Sequence, residues 1–237
     1  MNNMVTTLEK INGKPIKTNL HSKGYAVVSE VLSEEQCVSL RQLYEHHPRF
    51  RRTVVLERYR FGRGEYKYFD YPLPKLIHTI REATYPALAP VANEWMTRLN
   101  IDRRFPVTLS ELLAQCHENH QHEATPLILK YGAGGFNTLH QDLYGTVFFP
   151  LQVVLFLSEP GADYTGGEFV LTEQMPRAQS RATVLRPHRG DMLIFTTNFR
   201  PVKGTRGYYR ATVKHGVSEL HGGERYTVGI PFHDATH

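Results

Sequence analysis

The chain has 237 residues, room for one large domain or a core with an N-terminal extension, and a 41% hydrophobic fraction is ordinary for a protein that buries a core. A formal net charge of +5 permits an anionic partner without requiring one. Two cysteines in unrelated contexts, Cys37 and Cys116, exclude a disulfide framework and a thiolate zinc site. No run approaches the roughly 18 apolar residues of a membrane span, and the start of the chain lacks a charged segment followed by an apolar one. The expectation is a cytoplasmic protein in a reducing setting with no membrane partner.

Residues 1–20 are polar and are expected to be loosely held. Residues 24–31 read as a short strand. Ser33 then reads as an N-cap, with Glu34, Glu35 and Gln36 in the first turn, an apolar stripe of Cys37, Leu40 and Tyr44, and Pro48 as the stop. A second helical region starts near Pro74, with Leu76, Ile77 and Ile80 at helical spacing. Pro86 and Pro90 predict an interruption before it resumes through Val91, Trp95, Met96 and Leu99. Ser110 is read as the cap of a third helix over residues 111–120, with Leu112, Leu113 and Cys116 facing inward. These stripes are expected to pack against a sheet. His117, His120 and His122, at a polar helix end, read as solvated surface.

Residues 49–71 are of a different kind: RFRRTVVLERYRFGRGEYKYFDY interleaves basic and aromatic side chains. Two readings fit. Cations that neutralise phosphates beside rings that stack on bases make a nucleic-acid contact surface, with Arg58, Arg60, Arg63, Tyr66 and Phe69 as the contacts. A β-hairpin with inward aromatics and solvated arginines produces the same alternation.

From Leu127 onward short apolar runs alternate with glycine and proline: LILKY, TVFFPLQVVLFLS, EFVLT, ATVLR, DMLIF, ATVKHGV and YTVGIPF. Seven or eight such strands predict an all-β sandwich or barrel of the jelly-roll kind, open at one end. His140-Gln141-Asp142 falls after the first run, His215 lies far downstream and Arg225 ten residues beyond it. His-x-Asp with a distant His is the spacing of the two-His-one-carboxylate triad that holds non-haem Fe(II) and leaves positions open. On one strand, residues i and i+2 share a face, so His140 and Asp142 are expected to reach one ion together from the strand end.

Taken in order, LKYGAGGFNTLHQD, TGGEFVLTE, GDMLIF, KHGV and ERYTVGIPFHD resemble the Fe(II)/2-oxoglutarate-dependent dioxygenases with a double-stranded β-helix core. Within them the chain is most similar to the bacterial oxygenase family predicted to act on nucleic acids, distantly related to the AlkB-type demethylases. That narrower likeness extends back through RFGRGEYKYFDYPLP. The resemblance implies a jelly-roll catalytic core over residues 125–237, with an N-terminal helical region over residues 1–124 packed on it as one unit. It assigns His140, Asp142 and His215 to iron. It gives Arg225, with Thr227 on the same strand face, to the distal carboxylate of 2-oxoglutarate, and Tyr131 to the same co-substrate. Leu129 stands where the AlkB-type enzymes have a co-substrate asparagine, so Gln152 is the candidate for that contact. Pro231 replaces their second arginine. Fe(II), 2-oxoglutarate and O2 then hydroxylate a C–H bond with no obligatory acid–base residue. The implied substrate is a modified nucleobase in DNA or RNA, demethylated oxidatively. TGGEFVLTE is also similar to prolyl-type protein hydroxylases, and a non-catalytic binding module on the same fold is the third alternative.

Overall fold

The computed structural model describes Ile11, residues 13–46 and residues 48–237. The expectation for residues 1–10 lies outside that range. From Lys14 onward the expectation of loose chain is overturned: helix α1 (Lys14–Lys23) starts after Gly13, carries Pro15 in its first turn and ends at Gly24 in the left-handed conformation (φ 79°). Ile16 and Leu20, four apart, are its buried contacts, too sparse a stripe to stand out in a polar segment. Strand β1 (Tyr25–Val28) and helix α2 (Glu34–His46) follow. The Ser33 hydroxyl accepts from the Gln36 backbone N–H at 3.3 Å, and the Gln36 side chain accepts from the Ser33 N–H at 2.9 Å, so this helix has the predicted cap.

The basic-aromatic stretch folds as β2 (Phe50–Val55), a 3-10 turn (Leu56–Tyr59), β3 (Gly62–Arg63) and β4 (Glu65–Phe69), with β2 and β4 antiparallel. Helix α3 (Lys75–Arg98) runs unbroken through Pro86 and Pro90, where an interruption is predicted. Tyr85, Ala87, Leu88, Ala89, Val91 and Ala92 are all buried around those prolines, so tertiary packing offsets the lost backbone bonds. Helix α4 (Leu109–Glu118) is capped by Thr108 rather than Ser110. Thr108 has Glu111 three residues on and forms the reciprocal box with it, whereas Ser110 has Leu113 there.

The C-terminal half supplies β5 (Leu127–Tyr131), β6 (Phe136–His140), β7 (Leu151–Phe156), β8 (Tyr164–Gly166), β9 (Phe169–Gln174) and β10 (Ser180–Leu185). It continues with β11 (Met192–Thr196), β12 (Phe199–Gly204), β13 (Gly207–Val217), β14 (Leu220–Gly223) and β15 (Arg225–Ile230). Strands β6, β8, β12 and β14 are short or polar on one face, and counting apolar runs misses them. A major sheet in the order β1-β11-β7-β15-β5-β4-β2 faces a second one in the order β10-β9-β13-β6-β3, with β12 paired to β13. This is the jelly roll, and both edges of its larger sheet are strands from the N-terminal half.

Strand alternation divides the interior in two. Ile128, Leu151, Val153, Leu155, Val228 and Ile230 point to one side of the major sheet and pack on the helices. Their neighbours Val154, Phe156, Leu193 and Phe195 point the other way and meet Phe169, Leu171 and Val213 of the second sheet. No helix among the described residues is long and apolar enough to cross a membrane.

The chain beyond β15 is tied to the helices by a buried ion pair. Arg81 donates to the carbonyls of Pro231 (3.1 Å) and Phe232 (2.9 Å) and to Asp234 (2.9 Å), and the Tyr71 hydroxyl donates to the same carboxylate at 2.9 Å. Asp234→Ala leaves the Arg81 charge buried without its counter-ion, and a loss of about 3–5 kcal/mol of stability is expected, read from urea denaturation.

Candidate metal centre

The face of the major sheet turned toward the second sheet carries polar side chains where its strands approach the open end. Tyr131 of β5, Gln152 of β7, and Arg225 and Thr227 of β15 are buried and border one cavity of about 310 Å³. Pairing sets their relation: Arg225 lies opposite Tyr131, and Thr227 opposite Leu129. On the other wall β13 and β6 bring His215 opposite His140. Gly216 makes that approach feasible, because a Cβ there would sit 2.6 Å from the Asn137 carbonyl oxygen.

Asp142 does not reach the site as the strand argument predicts. Strand β6 ends at His140, and Asp142 belongs to the loop over residues 141–150. The turn out of the strand is held by Gln141, whose amide donates to the carbonyls of Asn198 (2.7 Å) and Val213 (2.8 Å). The Asp142 carboxylate lies 3.3 Å from His215 Nε2 and 3.6 Å from His140 Nε2. Among the described residues, these three are the group able to hold a metal ion, with donor atoms within 4.8 Å of one another.

The protonation states suit a metal. His140 Nδ1 lies 2.7 Å from the Thr138 carbonyl, which can only accept, so the proton sits on Nδ1 and Nε2 presents its lone pair. Burial and the neighbouring His215 hold the His140 pKa below its ordinary value. Burial pushes the Asp142 carboxyl up, but attraction and hydrogen bonding from His215, the nearby His140 and the Gln152 amide outweigh it and hold the group well below the usual carboxylate range. Gln152 Nε2 donates to one carboxylate oxygen at 2.9 Å, and the Tyr144 hydroxyl donates to the other at 3.0 Å. His215 Nδ1 is buried with no hydrogen-bond partner; its ring is oriented instead by Phe169 (5.8 Å, stacked) and Phe195 (4.9 Å, edge-on).

Arg225 is 1% exposed, and its guanidinium lies 5.5–5.9 Å from the ring centres of Phe156, Tyr131 and Tyr164. Its Nε and Nη2 have no hydrogen-bond partner, and no carboxylate of the described residues lies in ion-pair range. A buried cation with unmet donors beside a cavity fits an incoming anion, and a fork of N–H groups fits a carboxylate best. Burial pushes the Tyr131 hydroxyl up to about 12, so it stays protonated, and it accepts from Asn137 Nδ2 at 3.1 Å.

Of the other residues singled out in the sequence, Tyr66 borders the cavity, and Arg58, Arg60 and Arg63 are exposed. Phe69 is fully buried and packs on Phe50 in the core beneath the helices, which overturns its assignment as a substrate contact. The Gln152 amide N–H faces Asp142, so this side chain supports the carboxylate. His117, His120 and His122 are exposed, as expected. Sequence reasoning missed Tyr144 and Gln141. Both lie within four residues of His140, and their polarity in a ligand-bearing loop was the available signal.

Fold and site together define an oxygenase built on the jelly roll. Residues 64–235 match the Oxygenase-NA family, described as an oxygenase catalysing oxidative methylation of damaged DNA, and the chain belongs to that family. Two curated relatives from Mycobacterium tuberculosis, MT2286 (strain CDC 1551 / Oshkosh) and Rv2227 (strain ATCC 25618 / H37Rv), are each 48% identical over 167 residues, covering 70% of this chain and 72% of theirs. Among solved structures, a Pseudomonas putida prolyl-4-hydroxylase matches with TM-score 0.57 at 14% identity, over 94% of this chain and 98% of that one. A Burkholderia pseudomallei oxidoreductase of the 2OG-Fe(II) oxygenase family gives 0.53 at 11% identity, over 93% and 91%. A Trichoplax adhaerens prolyl hydroxylase in complex with a hypoxia inducible factor peptide fragment gives 0.53 at 14% identity, over 97% and 92%. These structural likenesses are of fold. A donor set of two imidazoles and one carboxylate suits Fe(II).

If Gln152 and Tyr144 hold the carboxylate in place, Gln152→Leu or Tyr144→Phe should weaken metal binding by about 10- to 100-fold. Calorimetric titration with Mn(II) reads the affinity, and an unchanged far-ultraviolet circular dichroism spectrum checks that the fold is retained.

Proposed function

We propose that this protein is an Fe(II)- and 2-oxoglutarate-dependent dioxygenase that oxidises N-alkylated nucleobases in nucleic acid. The observation that carries the reaction class is Arg225, a buried guanidinium with two unpaired donor atoms in the same cavity as the His140–Asp142–His215 group. His140, Asp142 and His215 would hold the metal. Arg225, with Thr227 on the same strand face, would hold the carboxylate of 2-oxoglutarate remote from it, and Tyr131 would keep that end of the cavity closed and dry.

The chemistry supplied by the loaded centre is insertion of one O2 oxygen into a substrate C–H bond while 2-oxoglutarate loses CO2 and takes up the other oxygen as succinate. On an N-methyl group the hydroxymethyl product falls apart to formaldehyde and the bare base. The protein's part is orientation and exclusion of water. The family match supports a nucleic-acid substrate, and so do the rings lining the cavity, where Tyr66, Tyr68 and Tyr144 offer flat walls to a planar base.

Three outcomes test this reading. His215→Ala and Asp142→Ala should each abolish conversion of 2-oxoglutarate to succinate while circular dichroism stays unchanged. Arg225→Ala should raise the 2-oxoglutarate requirement by about 30- to several-thousandfold, the cost of removing one partner of a buried charge pair. With Mn(II) present, 2-oxoglutarate should raise the wild-type Tm; Arg225→Met should lose that shift without lowering the Tm of the co-substrate-free protein, since it removes an unpaired buried charge. Succinate and formaldehyde release measured against methylated oligonucleotides and against proline-containing peptides identifies the substrate. Turnover on peptides alone would make the protein a prolyl-type hydroxylase.

A further inference from the structure

Beside the cavity mouth stands an aromatic pair that the reaction does not require. Tyr59 and Phe61 are each 47% exposed, and their rings stack on one another with centres 5.5 Å apart and planes 20° from parallel. Phe61 borders the cavity, whereas Tyr59 lies beyond it. We infer that the pair is a stacking platform for the nucleobase adjacent to the one being oxidised, so that the protein grips a strand rather than a single nucleotide. The inference rests on the nucleic-acid reading above and goes beyond it by adding a second base site.

Three features argue that the platform is built rather than incidental. First, the backbone beneath it is fixed. The Phe61 N–H donates to the Leu56 carbonyl at 3.1 Å, and the Phe61 carbonyl accepts from both the N–H and the hydroxyl of Thr138, each at 2.8 Å. Thr138 is two residues before His140, so the rings are tied to the strand that carries a candidate metal ligand. Second, the turn takes an uncommon shape to present them: Arg60 has φ 60° and Gly62 has φ 144°, and a Cβ on Gly62 would run into the Phe136 carbonyl. Third, the surroundings are cationic. Arg58, Arg60 and Arg63 are exposed, and none has an acidic side chain of the described residues in ion-pair range. Arg52 reaches the Tyr59 hydroxyl at 3.5 Å. Glu57 is the one acid within the turn, and its carboxylate accepts from the Gly64 N–H at 3.2 Å.

An apolar peptide would use the rings and leave the arginines idle, and an acidic peptide would do the reverse. A polyanion with flat faces uses both, which is the chemistry of a single strand or of a nucleotide flipped from a duplex.

The test uses the full chain with Mn(II) and 2-oxoglutarate, so that binding is read without turnover. The probes are a short single-stranded oligonucleotide with one N-methylated base and 2-aminopurine next to it, and the matching methylated mononucleoside. Wild-type protein should quench the 2-aminopurine fluorescence. Tyr59→Ala and Phe61→Ala should abolish the quenching and weaken oligonucleotide binding by about 5- to 100-fold each, with a smaller loss for the mononucleoside. Tyr59→Phe, which keeps the ring, should bind the oligonucleotide as the wild type does. The platform is overturned if both alanine variants quench and bind as wild type, or if oligonucleotide and mononucleoside lose affinity equally. A wild-type protein that binds and oxidises oligonucleotides but ignores these substitutions sinks the platform alone. One that binds no oligonucleotide sinks it together with the nucleic-acid reading.

Discussion

A carboxylate withdrawn from water stays ionised only where other groups replace its hydration, and the site is arranged around doing this for Asp142. Its two oxygens are met by four groups from four places in the chain: His140 at the end of β6, Tyr144 in the loop beyond, Gln152 on β7 and His215 on β13. Two of these are neutral donors that hold the group in one orientation without competing with a metal for charge. The other two are the imidazoles that would share the ion. Every later property of the site depends on those segments being brought into one register.

The segment that carries Asp142 makes this demanding, because the loop over residues 141–150 has no strand ladder of its own. Side chains from elsewhere hold it. The Gln121 amide accepts from the Val147 N–H (2.7 Å) and donates to the carbonyls of Val147 (2.9 Å) and Asp234 (2.6 Å). Gly145 packs so closely on Gln121 that a Cβ there would collide with the amide. His233 accepts from the Phe149 N–H at Nδ1 (3.1 Å), and burial lowers its pKa to about 4, which keeps that lone pair free. Both grips lead to the Arg81–Asp234 pair. The helical layer, on the far side of the major sheet from the cavity, thus helps to place a candidate ligand inside it.

The cavity is lined by groups of two kinds. One is Arg225, with donor atoms left over, which is costly unless an anion completes the pair. The other is a set of aromatic rings, Tyr66, Tyr68 and Tyr144, with Phe61 at the border stacked on exposed Tyr59 among arginines. Under the proposed function, a small dicarboxylate would be drawn to the first kind and a planar base to the second. Under that same function, the buried charge that destabilises the free protein would become the attachment point for the co-substrate.

Much of the chemistry was readable from the chain itself. Metal ligation requires particular residue types, so spacing pointed to His140, Asp142 and His215 as candidates before any fold was known, and the family resemblance pointed to Arg225. Short apolar runs punctuated by glycine and proline likewise indicated the jelly roll. What the residues could not disclose is which face of which strand each one occupies. Phe69 and Tyr66 sit on the same strand at odd spacing, and only the pairing of β4 between β2 and β5 sends one into the core and the other to the cavity. Gln152 looked like a co-substrate contact until the register of β7 set it against Asp142. Asp142 looked like a strand residue until the ladder of β6 ended at His140. Helix α3 ignores two prolines because the burial around them outweighs a local preference. Residue type determined what the site can bind, since that is intrinsic to each side chain; tertiary structure decided what each side chain faces, since facing is set by hydrogen-bonded registers between segments far apart in the chain.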